Sequence, residues 1–432
     1  MSTKTKYLVS LIYAALWLTL SLYFAIPWMY EVSSYVPFWL SLIAITGSAL
    51  IPGLAMAFVN VSLLLDKRRE LKTPPYTPPI SIIVAAYNEE EYIEGTLNSI
   101  ADQHYLADIE LIVSDDGSTD GTRKIVERFR RRNKSGHIRV IICGPKKNGG
   151  KANALNIALR KASHEYVITV DADSDLHPGA LNNLVFTLNA LDDKHAAVAG
   201  SILCKNHDVS LITRLQYWDY MLGISGVKRA QSMYDGTMVA QGAFSIYRKS
   251  VLEEVGGWPD EVGEDIVLSW SILAKGYSIY YSEKAICWTN VPEDYKSFFK
   301  QRKRWSRGLI EAFRKHPELL VRNDMHTFFV WYNLMFPYID ISFVTVFVPG
   351  VLAALIFGFY LLAGKMTLLL LPITFIYNLI ILQIQKKEMK GLGITLDRKR
   401  GYFIYIMFYQ LFMNPATITG YAAELTRRKK TW

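Results

Sequence analysis

Tyr166-Val167-Ile168-Thr169-Val170-Asp171-Ala172-Asp173 decides the fold. Five strand-favouring residues in a row read as a buried β-strand, and the acids that follow at once mark its carboxyl end. Upstream the same unit recurs. Ile80 to Ala85, Glu110 to Ser114 and Arg139 to Cys143 read as strands, and Glu89 to Ile100, Thr119 to Arg132 and Lys151 to Ala162 as the helices between them. Such alternation predicts an α/β domain on a doubly wound parallel sheet, whose ligands collect beyond the carboxyl ends of the strands. Acids stand there twice, as Asp115-Asp116-Gly117 after the second strand and Asp171-Ala172-Asp173 after the fourth.

Outward from this domain the chain turns apolar. Of its 432 residues 51% are hydrophobic, too many for a wholly soluble protein. Tyr7 to Tyr30 and Val36 to Leu65 carry no charge. A helix of the first length reaches roughly 36 Å against a hydrocarbon core of about 30 Å, and the run is too long for a cleaved signal peptide. Lys4, Lys6 and Lys67-Arg68-Arg69 mark cytoplasmic ends, which predicts a multi-pass plasma-membrane protein with its central domain in the cytoplasm. Ile341 to Gly364 and Met366 to Ile384 read as a second membrane hairpin. Aromatic-rich Phe328 to Pro337 is expected to lie along the interface. Gly401 to Ala423, interrupted by Asn414-Pro415, is expected to form two short helices that dip in and return, the alternative being a plain fifth crossing. The expected organisation is membrane helices at 1–71, a Pro-rich linker at 72–79, the α/β domain at 80–294, interfacial helices at 295–337 and a second membrane region with a basic tail at 338–432. The net charge of +9 sits mostly at membrane boundaries and in the solvated run Arg128 to Lys134, so lipid headgroups rather than nucleic acid are the expected partner. Cys143, Cys204 and Cys287 have no metal-ligand spacing and are expected as reduced thiols.

Within the domain, Asp171 and Asp173 suit a hard divalent cation that also takes phosphate oxygens, with Asp175 and His177 shaping the next loop. Asp116 on its glycine turn either accepts a hydrogen bond from a nucleobase or ribose or caps the Thr119 helix. Tyr87, in Tyr87-Asn88-Glu89, either stacks on a base or packs. Asn148-Gly149-Gly150-Lys151 opens a helix, so its N–H groups and Lys151 are expected to meet a diphosphate. Gly263-Glu264-Asp265 starts another helix, where two acids complement the dipole or supply a base. On the helix from about Tyr295 to Phe313, Gln301, Arg304 and Trp305 share one face at i, i+3 and i+4. Arg304 there suits a diphosphate and Trp305 a sugar ring. Lys296, Lys300, Lys303 and Arg307 form a neighbouring stripe expected to face headgroups.

Tyr87-Asn88-Glu89, Asp116-Gly117-Ser118, Gly150-Lys151-Ala152, Asp171-Ala172-Asp173, Glu264-Asp265 and Gln301-x-x-Arg304-Trp305, in this order between membrane segments, resemble the membrane-embedded processive glycosyltransferases of family 2. The resemblance covers nearly the whole chain. It implies a GT-A domain, a UDP-sugar donor, a growing polysaccharide as acceptor, Mg²⁺ (or Mn²⁺) as cofactor and a small accessory membrane protein as partner. Asp116 would hold the uracil, with Tyr87, Glu89 and Lys151 also at the donor. Asp171 and Asp173 would carry the metal, Asp265 with Glu264 would supply the base, and Arg304 would stabilise the leaving UDP. Trp305, Gln301 and Gly242, in Gln241-Gly242-Ala243, would meet the acceptor. Arg427 to Lys430 and Trp432 resemble a donor-covering tail; with Trp432 as the last residue, no gating role is expected. Gly263 stands where cellulose and poly-N-acetylglucosamine relatives carry Thr. Val255-Gly256-Gly257-Trp258, Cys287-Trp288 and Val291-Pro292-Glu293 resemble the poly-N-acetylglucosamine branch most. The alternatives are hyaluronan, chitin or cellulose synthesis from another UDP-sugar, a non-processive transferase making a glycolipid, and a non-enzymatic scaffold whose acids only cap helices.

Overall fold

The computed structural model describes residues 1–68, 71, 76–133, 136–362, 364–394 and 401–427, without the side chains of 364–373. Residues 72–75 of the Pro-rich linker and the tail from Arg428 to Trp432 therefore lie outside the described residues. The central domain is an eight-stranded sheet: β1 (Ile80–Ala86), β2 (Ile109–Asp115), β3 (Ile138–Cys143), β4 (Tyr166–Asp171), β5 (Ser174–Leu176), β6 (His195–Cys204), β7 (Phe244–Arg248) and β8 (Ser278–Thr289), in the order β3-β2-β1-β4-β7-β6-β8-β5. β1, β2, β3 and β4 are parallel, as their alternation with helices predicts. The second half departs from a wholly parallel sheet. β7 runs antiparallel to both β4 and β6, and β5 antiparallel to β8. β7 is a buried five-residue run whose direction depends on how the helices between Leu211 and Met233 return it to the sheet. No local pattern encodes that.

Register explains why the acids gather. Ala86 of β1 lies opposite Asp115, and Ala85 opposite Asp171. Three parallel strands therefore end level, and the residues just beyond them share one rim. The strands are apolar because helices cover both faces; Ile82, Ile83, Val84, Leu111, Ile112 and Ile168 are fully buried.

Among the described residues three helices are long and apolar enough to cross a membrane: Thr3–Ser33, Phe38–Leu64 and Thr327–Phe357. The latter two contain π-helical turns, Thr46–Leu50 and Phe343–Phe347, each just before a proline, Pro52 and Pro349. The wider turn relieves the clash of each proline ring with the carbonyl four residues earlier. Phe328 to Pro337 does not lie apart as an interfacial segment but forms the first half of the Thr327–Phe357 helix. Asp340, which would resist an apolar setting, accepts hydrogen bonds from Thr417 Oγ1 (2.7 Å) and Tyr421 Oη (3.1 Å), so the helix runs through it.

The carboxy-terminal piece also differs from expectation. Tyr402–Leu425 is one helix carrying Pro415 within it, not two short ones. Packing overrides the break signal: Tyr409 and Phe412 sit edge-on to Phe298 and Tyr295 of the long Tyr295–Lys315 helix. Glu424 accepts from Arg307 Nε (3.1 Å) and Arg314 Nη1 (2.6 Å) of that same helix. Arg307 is thereby buried in an ion cluster and does not join Lys296 and Lys300 on the exposed stripe. A carboxylate on the neighbouring helix outcompetes lipid phosphate for it.

Candidate active site

The loops after β1 and β2 are pinned to each other. Asn88, held at a positive φ of 56°, accepts the Thr119 N–H (2.8 Å), and the Asn88 N–H reaches Ser118 Oγ (3.0 Å). Tyr87 is 45% exposed at this rim, so it is not a core-packing residue. Asp116 does not bond the start of the following helix; Asp120 accepts the N–H of its first residue, Thr122 (3.0 Å). Instead the two carboxylate oxygens of Asp116 accept the N–H groups of Gly149 and Gly150, each at 2.9 Å. Burial pushes Asp116 up in pKa, and those two N–H groups oppose it. The expectation that the Gly149-Gly150 N–H groups face a diphosphate is thus corrected, because a buried acid already satisfies them. Gly117 has φ +77°, and a Cβ there would lie 2.8 Å from the Asn148 N, so the turn admits only glycine.

Lys151, at the start of the Lys151–Leu159 helix, is the hub. Its Nζ lies 2.6 Å from Asp171 Oδ1 and 3.6 Å from Glu264 Oε1, and a Cβ on Gly242 would fall 3.1 Å from it. The end of β4, the Gln241-Gly242-Ala243 loop and the start of the Glu264–Ala274 helix are therefore packed around one ammonium. Burial alone would lower the Lys151 pKa; Asp171 and Glu264 outweigh it and hold the group above the ordinary lysine range. Asp173 is pushed up to about 6, by burial first and then by Asp171, and Glu89 up to about 7, by burial and then by Asp173, Asp171 and Asp120. Three acids that repel one another beside one lysine form a site short of positive charge. Asp175 and His177 stay out of it, Asp175 pairing with Lys205 and the His177 N–H bonding the Ile286 carbonyl.

Glu264 is buried and Asp265 partly so, on the first turn of their helix. What sets that helix against the Tyr295–Lys315 helix is a pair of glycines. A Cβ on Gly263 would come within 2.5 Å of Gly308 Cα, and the Gly263 N–H donates to buried Glu311 Oε2 at 3.0 Å. Gly263 is thus explained by Gly308, whatever residue relatives carry there. The close approach brings Arg304 into the field of both Lys151 and Glu264. Arg304 is exposed and Trp305 38% exposed, on the face they share with half-buried Gln301.

Four residues outside the sequence-predicted set enter the cluster. Lys228, buried, has its pKa pushed down to about 7 by burial against the opposing charge of Asp265. Tyr220 feels the charge of Asp173, and its ring lies 6.4 Å from the Trp305 indole. Arg302 stacks on Trp305 and pairs with Asp219. Arg302 lies within the Gln301-to-Trp305 motif, but its helical offset from Gln301 turns it inward. The π-turn Asp219–Ile224 that presents Asp219 and Tyr220 has no signature in the sequence.

This mixed sheet with an acid-bearing rim, flanked by apolar helices, is the architecture of GT-A glycosyltransferases. Residues 81–256 match the family model described as Glycosyl transferase family 2, so the central domain is a family 2 glycosyltransferase domain. Two proteins of Staphylococcus epidermidis named poly-beta-1,6-N-acetyl-D-glucosamine synthase are similar to the chain. One is 34% identical over 230 residues (53% of this chain, 54% of the relative), the other 32% over 275 (63% and 64%). The matches thus span between about half and two thirds of these curated relatives' length. Among solved structures, a mannosyltransferase from Pyrobaculum calidifontis in complex with GDP-Man and Mn²⁺ aligns with a TM-score of 0.60 at 22% identity, covering 90% of this chain and 99% of its own. That likeness is one of fold.

Proposed function

We propose that the chain is a processive, inverting glycosyltransferase that polymerises β-linked N-acetylglucosamine from UDP-N-acetylglucosamine and passes the polymer across the membrane that holds it. The observation that carries this reading is Lys151 drawing Asp171 and Glu264 together, with Arg304 acting on the same charges. It joins acids from the donor rim to acids from the helix beside Trp305. The similarity to synthases of a β-1,6-linked polymer supports the sugar and the linkage.

Asp265 takes the proton of an acceptor hydroxyl while that oxygen attacks the anomeric carbon. The bond to UDP breaks on the opposite side and its electron pair leaves with the diphosphate, inverting the configuration. Arg304 faces the departing diphosphate, and Lys151 fixes Glu264 and Asp171 about the reacting centre. Trp305 and Gln301 hold the acceptor end, which Gly242 lets approach. Tyr87, Glu89 and Asp116 belong to the donor side; the carboxylate of Asp116 reaches the base only by sharing oxygens already bonded to Gly149 and Gly150.

Asp171 and Asp173 fit a divalent cation, since their hard oxygens and mutual repulsion with Glu89 invite one. Among the described residues no three acids, histidines or cysteines form a closed cage. Mg²⁺ or Mn²⁺, when bound, neutralises charge on the leaving diphosphate.

Full-length protein in lipid nanodiscs, given radiolabelled UDP-N-acetylglucosamine and Mg²⁺, is expected to yield a high-mass product cleaved by a β-1,6-specific hexosaminidase. EDTA should abolish it, and Asp265→Asn should lower kcat by about 10² or more. A single-sugar product, or turnover only with another UDP-sugar, would sink the reading.

A further inference from the structure

Trp305 is not held by the domain in the way its neighbours are. One face of the indole is covered by a guanidinium: Arg302 Cζ lies 4.1 Å from the Trp305 ring centroid. Arg302 is 3% exposed, and Phe298 (5.1 Å) and Tyr220 (6.0 Å) close around the same cation. Its one carboxylate partner among the described residues is Asp219, at 3.0 Å from Nη2, and Asp219 also accepts the Tyr409 hydroxyl at 2.7 Å. Neither Nε nor Nη2 of Arg302 makes a hydrogen bond among the described residues, so the contact with Asp219 is an ion pair without hydrogen-bond alignment. The plane of the guanidinium is therefore set by the ion pair at one end and the ring stack on its face, not by a fork of hydrogen bonds. The fold makes room for this arrangement. Asp219 opens the π-turn Asp219–Ile224, and a side chain on Gly223 would press on Asp219 Oδ1 at 2.8 Å and on the Tyr405 hydroxyl at 3.2 Å. Tyr409 comes from the carboxy-terminal Tyr402–Leu425 helix.

We propose that Arg302 is a positioning residue for the acceptor: it holds the Trp305 indole at a fixed tilt, with its open face to the sugar, and is itself locked by Asp219 and by Tyr409 of the carboxy-terminal helix. A buried cation on an aromatic face is a strong, directional contact, and a stacked Arg cannot be replaced by Lys without losing the planar match. The lock makes the acceptor platform answer to the carboxy-terminal helix, because moving Tyr409 frees Asp219 and with it Arg302. This inference rests on the reading of Trp305 as the acceptor platform.

The test uses full-length protein in nanodiscs, with KM measured separately for UDP-N-acetylglucosamine and for an added N-acetylglucosamine oligosaccharide. Protein labelled with 5-fluorotryptophan reports the indole directly, its Trp305 resonance assigned by Trp305→Phe. Arg302→Met should raise the oligosaccharide KM about tenfold, the loss of one desolvated cation–π contact, while donor KM changes less than about twofold. Arg302→Lys should recover only part of that, and Tyr409→Phe, which removes one hydroxyl, should show the same split more weakly. The Trp305 ¹⁹F line should shift or broaden in all three. An unmoved Trp305 line, or donor and acceptor KM rising together, would overturn the proposal. If Arg302→Met does not fold, Tyr409→Phe and the ¹⁹F line decide alone. Should Trp305→Ala leave the oligosaccharide KM unchanged, the platform reading fails while the ¹⁹F line still judges whether Arg302 orients the indole.

Discussion

At the scale of single residues the site is governed by charge crowding. Glu89 at about 7 and Asp173 at about 6 hold protons more tightly in the folded protein than in the unfolded chain, whose glutamates and aspartates titrate near 4.5 and 3.8. Metal-free protein therefore has their contribution to stability below the unfolded values and loses it as pH rises through about 6 to 7. A cation must displace those same protons, so Mn²⁺ affinity, followed by isothermal titration, should strengthen from pH 6 to pH 8, and Glu89→Gln should flatten the upper part of that rise. Asp116 is a different case. Both its oxygens serve backbone N–H groups, so Asp116→Asn leaves one buried donor unpaired, at a cost of about 1–3 kcal/mol. Chemical denaturation would measure it, and an unchanged midpoint would refute the structural role of that carboxylate. Asp171, Asp173, Asp116 and Lys151 are legible in the sequence because each follows a strand or opens a helix in an alternating pattern. Arg302 and Tyr220 are not, because their importance lies in what a distant π-turn places against them.

Between elements, the decisive contact is that of the Glu264 and Tyr295 helices at Gly263 and Gly308. Each glycine's missing Cβ is filled by the other's backbone, with a Gly308 Cβ only 2.7 Å from Gly263 Cα. Gly308→Val should push the helices apart, destabilise the domain by about 1–3 kcal/mol and lower turnover more than UDP binding, since the acids of one helix would drift from Arg304 of the other. Thermal melting together with UDP titration separates these effects; equal loss of both would mean simple unfolding. Strand and helix positions in the first half of the domain follow from periodicity. The antiparallel β7 and the unbroken Tyr402–Leu425 helix do not, since a strand's direction and a proline's tolerance depend on partners remote in sequence.

For the whole molecule, the domain is joined to the apolar helices that flank it through buried charge. Asp66, just past the Phe38–Leu64 helix, accepts Arg229 Nε at 2.7 Å, while Arg68 pairs with Glu283 of β8 at 2.8 Å and Arg229 reaches Glu388 at 3.4 Å. Asp66→Asn takes one carboxylate from two guanidinium groups that keep Glu283 and Glu388, and should cost about 1–3 kcal/mol, read as a lowered melting temperature of nanodisc-held protein. An unshifted melt would show that domain and helices are not coupled there. The sequence by itself determined the parallel half-sheet, the acids at its rim, the apolar runs around it and the shared face of Gln301, Arg304 and Trp305, because these depend on patterns of two, three or four residues. Only the tertiary structure decided that Lys151 gathers Asp171 and Glu264, that Asp116 serves a glycine loop, and that Arg307 and Arg302 turn inward. Those outcomes follow from buried charges finding partners that lie 20 to 117 positions away, and no local period records such pairings.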